Sequence, residues 1–396
     1  MKKKFLDMKL QLDSLAVFST LKKDPVISKL MALLDTMSKG HEDVIRIYSE
    51  FVSELYPHTA CLTDYIQSLI IQDDNFFIQQ KAANLSIDMH VRAAVDHELS
   101  VLQNVAKLKC EDVLSEIEYD SFLPQWTTHE DDIAYNFMEK LNNIRKIGYG
   151  IYAKYNFFRI YNGEVIPVEH PDYQHMDQFF EYERERDLII KNTEALINGT
   201  GASNMLLYGD AGTGKSSTIK AVAAAYAPRG LRIIEVKKTQ LYQIPDLLDK
   251  LSKNPLKFII FIDDLSFSGN DDNFSALKAT LEGSISGCGD NAVIYATSNR
   301  RHLVKESFGD RAGDELHLAD TLQETMSLAA RFGLTITFSK PGKDEYLSIV
   351  KNLAIEYGID MPEEELFKKA EAHAIRKNGR SPRTAKQFIE LLKIGI

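Results

Sequence analysis

SNMLLYGDAGTGKSSTIKAVAAAYA, residues 203–227, runs from a short apolar segment through a glycine-rich turn into an alanine-rich segment. Met205 to Tyr208 have the composition of a buried strand, and the alanines after Lys215 carry high helix propensity. Between them Gly209, Asp210, Ala211, Gly212, Thr213, Gly214, Lys215 and Ser216 fit G-x-x-x-x-G-K-[ST] at every fixed position. Glycines let a backbone curl with its N–H groups pointing inward, which makes an anion nest at the positive end of a helix. Lys215 is then placed to reach β- and γ-phosphates, and the Ser216 hydroxyl to ligate Mg²⁺. With Ser217 the loop is the predicted cradle of a nucleoside triphosphate. A glycine turn with an incidental lysine would not need a strand before it and a helix after it.

From this strand onward apolar strands and helical segments alternate, the pattern of a parallel sheet covered by helices on both faces. Candidate strands fall at 204–208, 231–236, 257–262, 292–297 and 334–338, so the expected core is α/β with a parallel five-stranded sheet. After Pro341-Gly342 the pattern is helical to the end, which predicts a C-terminal helical lid at 342–396. Upstream, ERERDLIIKNTEALING reads as a helix feeding the phosphate-loop strand, and the core is placed at 183–341. Residues 129–182 read as a connector, with a hairpin signalled by Asn162-Gly163 and then the polar stretch EHPDYQHMDQF. Residues 1–128 read as a mostly α-helical N-terminal domain of short amphipathic helices. In one of them Asp24 is a cap and Pro25 the first helical residue.

KFIIFIDD, residues 257–264, is an apolar strand ending in two acids. Ligand chemistry in open parallel sheets gathers at the carboxyl ends of strands, which sets these acids beside the loop. Asp263 would hold Mg²⁺ and Asp264 would polarise the attacking water; ordinary acids of a strand-end turn are the alternative. YATSNRRH, residues 295–302, closes the next strand with a polar run in which Asn299 is the candidate to orient that water. Arg300, Arg301 and His302 can meet phosphate, a neighbouring subunit or only solvent. Arg331, in RFG just before the fifth strand, is placed to reach a neighbouring subunit's γ-phosphate, or else to make an intrachain ion pair. Arg380 and Arg383 open the last lid helix, where Ser381 is a plausible cap and either arginine can fold over the phosphates.

Composition bounds the rest. The 396 residues suffice for two or three domains, and 44% hydrophobic with 26% charged residues is ordinary for a soluble globular chain. A net charge of −10 gives no support to nucleic-acid binding, although a local basic patch is compatible with it. Three widely separated cysteines, Cys61, Cys110 and Cys288, suit a reducing cytoplasm. The opening MKKKFLDMKLQLDSLAVF imitates a signal peptide, but Asp7, Lys9 and Asp13 interrupt its apolar run. No apolar stretch is long enough to span a bilayer, so a cytoplasmic protein with no membrane partner is expected.

In order along the chain these features resemble an AAA+ P-loop NTPase: phosphate loop, apolar strand ending in acids, sensor-1 residue, arginine finger and sensor-2 lid. More narrowly FIIFIDDLSF, LKATLEG, YATSNRRHL and RFGLTITF resemble a bacterial family of predicted AAA+ ATPases that carries a domain-of-unknown-function label. The RFG segment is also similar to the finger region of replication-initiator and helicase-loader ATPases. The resemblance implies ATP binding, Mg²⁺-dependent hydrolysis, and a homo-oligomeric ring or arc in which Arg331 acts in trans. One departure is Asp264, where most AAA+ proteins have Glu; Glu282 in LKATLEG is a less suitable substitute base. Three readings follow. The chain is an ATP-driven remodeller or loader of an unidentified protein partner, an ATP-gated scaffold that hydrolyses very slowly, or a nucleic-acid-processing ATPase.

Overall fold

Asp24 and Pro25 begin a helix as the sequence implies. The Asp24 carboxylate accepts the Ile27 amide at 3.0 Å, Pro25 opens the helix Pro25–Lys39, and Gly40 ends it with φ +71°. Asn75, Asp88 and Asp132 cap helices in the same way within residues 1–154, one of two compact units, the other being 155–396. The computed structural model describes residues 2–40, 43–266, 272–281, 290–299, 330–377 and 379–395. In the first unit amphipathic helices bury Leu30, Leu33, Tyr48, Phe51, Ile66 and Leu102 in a single core with Trp126 and Phe137. The helix Ile133–Asn142, from the stretch read as connector, packs into this core through Ile133, Phe137 and Leu141.

The second unit is an α/β layer structure. Its described strands are β1 (Phe157–Tyr161), β2 (Glu164–Pro167), β3 (Met205–Gly209), β4 (Leu231–Glu235), β5 (Lys257–Ile262), β6 (Ala292–Ser298) and β7 (Leu334–Phe338). They form a 7-stranded sheet in the order β2-β1-β4-β5-β6-β3-β7. Strands β3 to β7 are the five expected, and all pair in parallel. The expectation of a five-stranded sheet is corrected by the hairpin. β1 pairs in parallel with β4, Phe157 opposite Ile233 and Phe158 opposite Ile234, while β2 runs antiparallel to β1. Asn162 and Gly163 turn the hairpin with φ +49° and +81°. Phe157, Phe158 and Ile160 are buried, so β1 covers an edge of β4 that would otherwise expose unpaired backbone and apolar side chains.

β5 and β6 are central and read accordingly: Phe258 to Ile262 and Ala292 to Ala296 are all buried. Burying one of the Phe, Ile or Val side chains among them stabilises the fold by about 1.5–3 kcal/mol. Ile219, Val222 and Ala223 from the helix Lys215–Tyr226 and Ile189 and Leu196 from the helix Glu183–Asn198 pack on the sheet. Asn192 of the latter helix accepts the Ser203 amide at 3.0 Å, fixing the entry to β3. Past β7, the helices Lys343–Glu356, Glu363–Arg376 and Pro382–Lys393 share a core of Tyr346, Ile349, Ala370 and Phe388. Among the described residues no helix is long and apolar enough to cross a membrane.

Candidate functional site

Parallel pairing brings the carboxyl ends of β5, β6 and β3 side by side, since Ile262 lies opposite Ala296, and Thr297 opposite Leu207. The two acids after β5, the polar end of β6 and the turn after β3 therefore meet at one edge of the sheet. Gly209 makes that turn next to β7. A Cβ there would stand 2.0 Å from the Phe338 carbonyl oxygen, and φ is +139°, so only glycine fits. The Asp210 amide then donates to that same carbonyl at 3.1 Å. Thr213 closes the loop by donating to the Asp210 carbonyl at 2.9 Å.

Lys215 is 5% exposed. Its Nζ donates to the carbonyls of Gly209 at 3.0 Å and Asp210 at 2.7 Å, and to Oδ1 of Asn299 at 3.0 Å. Burial holds its pKa below the ordinary lysine value, opposed by the negative charges of Asp210, Asp263 and Asp264. An anion placed beside this ammonium would compensate that desolvation.

Asp263 Oδ1 accepts from Ser216 Oγ at 2.5 Å and from Thr297 Oγ1 at 2.6 Å. The converging donors are oxygens alone, a carboxylate and two hydroxyls, and that hard set fits Mg²⁺ rather than a softer ion. Asp264 has φ +50°, a left-handed conformation that aspartate tolerates better than most residues. Its amide donates to Thr297 Oγ1 at 3.0 Å, and its Oδ1 accepts from Asn299 Nδ2 at 2.8 Å. Thr297 was not singled out by sequence. Its position two residues before Asn299, at the carboxyl end of β6, is the signal that could have found it.

The lid closes on the loop through its last helix. Ser381 caps it by accepting the Thr384 amide at 3.1 Å, and the Arg383 amide donates to the Gly212 carbonyl at 3.1 Å. Arg383 lines the cavity over the loop. Arg380 instead grips Glu371 with two bonds, at 2.9 and 2.6 Å. Arg331 is not among the cavity residues. It precedes β7 by three positions, beside a Gly333 packed against Ser203 at the start of β3, so it belongs to the opposite edge of the sheet. Arg300, Arg301, His302, Glu282 and Cys288 lie outside the described residues.

The cavity measures about 510 Å³, within the range of small-molecule sites. Besides Gly212 to Thr218, Asp263, Asp264, Thr297, Asn299 and Arg383, it is lined by an aromatic wall from within the stretch 129–182 that reads as a connector: Tyr173, Phe179, Phe180 and Tyr182. Tyr173 stacks on Phe157 of β1 at 5.3 Å between ring centroids, and Tyr182 stacks on Phe338 of β7 at the same distance. Glu181 and Tyr182 both adopt positive φ, a sharp reversal braced by the Arg186 guanidinium on the Glu181 carbonyl and by Tyr182 Oη on the Ser339 carbonyl at 2.6 Å. The cavity thus combines cationic and polar side chains with aromatic rings, Phe179 lying within 4.0 Å of the position a Cβ would take on Gly214 of the loop. Such a container suits a molecule with an anionic tail and a flat apolar body.

The sequence model of the family described as Protein of unknown function (DUF815) matches residues 152–395, more than half of the chain. No curated protein matches. Solved structures that match include a RuvB variant from Thermotoga maritima, at 17% identity and TM-score 0.38 over 56% of this chain and 64% of that one. C. elegans PCH-2 matches at 16% identity and TM-score 0.39, over 56% and 66%. AMPPCP-bound DnaA from Aquifex aeolicus matches at 18% and 0.37, over 57% and 66%. The chain thus spans just under two thirds of each of these structures.

Proposed function

The chain belongs to the DUF815 family, and we propose that it is an AAA+ ATPase that binds ATP with Mg²⁺ and couples its hydrolysis to remodelling or loading a protein partner. One observation carries the reading: Lys215, Ser216, Asp263, Asp264 and Asn299 form a continuous hydrogen-bonded set around one cavity, roofed by Arg383. In this reading Gly209 to Ser217 cradle the phosphates with backbone amides, and Lys215 exchanges its Asn299 contact for the γ-phosphate. Ser216 and Asp263 hold Mg²⁺, which when bound neutralises charge on the phosphate oxygens. Asp264 takes the proton of the attacking water, and Asn299 orients that water. Aromatic faces at Tyr173 and Phe179 supply the surface for the base.

Arg331, on the far edge of the sheet, serves the γ-phosphate of a neighbouring copy in a ring or arc. That assembly makes turnover per chain rise with protein concentration, and this is the test: measure steady-state phosphate release against concentration with Mg²⁺ and ATP. Mixing Lys215→Ala with Arg331→Ala protein should restore activity through mixed interfaces. No release at any concentration, with ATP still bound, would leave the second reading, an ATP-gated scaffold. The specific observation favouring that reading is the Asp264 carboxylate, one methylene shorter than glutamate and tied to Asn299.

A further inference from the structure

We propose that Cys61, Asp64 and His129, in the helical unit, form a binding site for one Zn²⁺ ion, with three protein ligands and one coordination position left to solvent. The Cys61 sulfur, an Asp64 carboxylate oxygen and a His129 ring nitrogen all lie within 4.8 Å of one another. Ligand atoms of a tetrahedral zinc site stand roughly 3.3–3.8 Å apart, given bonds of about 2.0–2.3 Å, so shifts of about 1 Å complete the set. Among the described residues no other three histidine, cysteine, aspartate or glutamate side chains converge in this way.

The backbone holds the three donors in place before any ion arrives. Cys61 precedes the helix Leu62–Gln72 and Asp64 lies in its first turn, one helical turn from Cys61. The strand-like segment carrying His129 is bound to that helix start. Thr127 donates to the Ala60 carbonyl at 2.8 Å and accepts the Leu62 amide at 3.0 Å through its own carbonyl, a parallel bridge opposite Cys61. Two residues on, the His129 amide donates to Thr63 Oγ1 at 3.1 Å, and that buried hydroxyl donates to the Ala106 carbonyl at 2.9 Å. Trp126, buried just upstream, donates from its indole to the Leu108 carbonyl at 2.9 Å. Anchors on both sides of the ligand positions leave the chain little freedom to lose when a metal is bound.

The side chains already share protons where a cation would sit. His129 Nε2 and Asp64 Oδ1 are 2.7 Å apart. An ordinary surface ion pair needs two partners; here a third, the thiol of a buried cysteine, points at the same place. Sulfur, nitrogen and oxygen together make a borderline-soft set that suits Zn²⁺ and disfavours Mg²⁺ or Ca²⁺. Asp64 and His129 are 57% and 46% exposed in their side chains, which gives the ion an entry path. Binding would replace the shared proton and the thiol proton, pinning the Cys61 turn to the His129 segment.

The test uses the full chain, stripped with a chelator and titrated with Co²⁺, whose spectrum reports its ligands. One equivalent should give a near-ultraviolet thiolate-to-cobalt charge-transfer band with intense visible bands, and added Zn²⁺ should abolish both. Cys61→Ser should remove the charge-transfer band. His129→Gln and Asp64→Asn, at exposed positions where folding is not at stake, should each weaken Co²⁺ binding by roughly tenfold or more. Lowering the pH should weaken it in the unaltered chain, because protons compete for the same atoms. Co²⁺ held by the phosphate-loop oxygens would show no sulfur band, so the two sites are separable. No thiolate band, a band that survives Cys61→Ser, or unchanged affinity in His129→Gln and Asp64→Asn would overturn the proposal.

Discussion

Asn299 donates from its side-chain nitrogen to the Asp264 carboxylate across 2.8 Å, and so ties the end of β6 to the end of β5. The other end of the same amide accepts from Lys215 at 3.0 Å, so one residue links the phosphate loop to the acid pair. An anion that draws Lys215 away relieves Asn299 of one partner and alters how Asp264 is held. A single side chain therefore joins the loop lysine to the acid that follows β5.

Asp264→Asn tests the base. Asparagine tolerates the left-handed backbone at φ +50° as well as aspartate does, so the turn after β5 should survive. ATP affinity should stay within about threefold while phosphate release falls by about 10²–10⁴, the usual range for losing a general base. Asp264→Glu, which restores the longer reach, should raise turnover above that of the unaltered chain. Normal turnover in Asp264→Asn would place the base elsewhere.

Lys215→Ala tests the cradle. The ammonium is the buried cation of the loop, and a hydrogen bond to a charged partner contributes about 1.5–3 kcal/mol, so ATP affinity by calorimetry should fall by roughly tenfold to a hundredfold or more. The carbonyls of Gly209 and Asp210 lose a donor as well, and a modest drop in thermal stability should accompany the loss.

Legibility in the sequence followed the range of the interactions. The five parallel strands and the gathering of Lys215, Asp263 and Asn299 at one edge of the sheet rest on local pattern and on the rule that parallel strands align their carboxyl ends, and both can be read from one chain. β1 could be recognised as half of a hairpin from Asn162-Gly163, but its partner β4 lies some seventy residues on, and nothing in FFRIY specifies that edge. The aromatic wall was hidden for the same reason. Tyr173 and Tyr182 sit among polar residues without periodicity, and only long-range stacking on Phe157 and Phe338 turns them inward. The choice between Arg380 and Arg383 depended on Glu371, nine residues before Arg380 on a neighbouring lid helix.

Arg383→Ala and Arg380→Ala should therefore separate. Arg383 lines the cavity, so its loss should weaken ATP binding or reduce the difference between ATP and ADP affinity. Arg380 is paired with Glu371, and removing it should leave nucleotide affinity unchanged. Equal effects of the two changes in a nucleotide titration would refute the assignment.

Gly212→Ala tests the contact between loop and lid. At φ +81° an alanine costs about 1–2 kcal/mol of backbone strain, and its Cβ would also meet Arg383 Cβ and Ser381 Oγ, each at 3.1 Å. Gly199→Ala is the control, with φ +68° and nothing within 4 Å of the added carbon. Both should lower the unfolding temperature, but only Gly212→Ala should also weaken ATP binding, because only there is the lid pushed off the loop.

Lys140 supplies a pH dependence in the helical unit. Its side chain is buried, donates to the Ile71 carbonyl, and is pushed down to about 8 by burial, against the pull of Asp73 and Asp74. Between about pH 8 and the ordinary value of 10.5 the unfolded chain holds this proton and the folded chain has released it. The unfolded state then binds more protons, so stability rises with pH through that window. It does so by at most about 1.4 kcal/mol per pH unit from this group. Below pH 8 the lysine is charged in both states and contributes no slope. Lys140→Met removes the titration, so denaturant unfolding of the two proteins should diverge above pH 8, the unaltered chain gaining relative to the variant. Parallel curves up to pH 10.5 would show that the buried ammonium keeps its proton throughout.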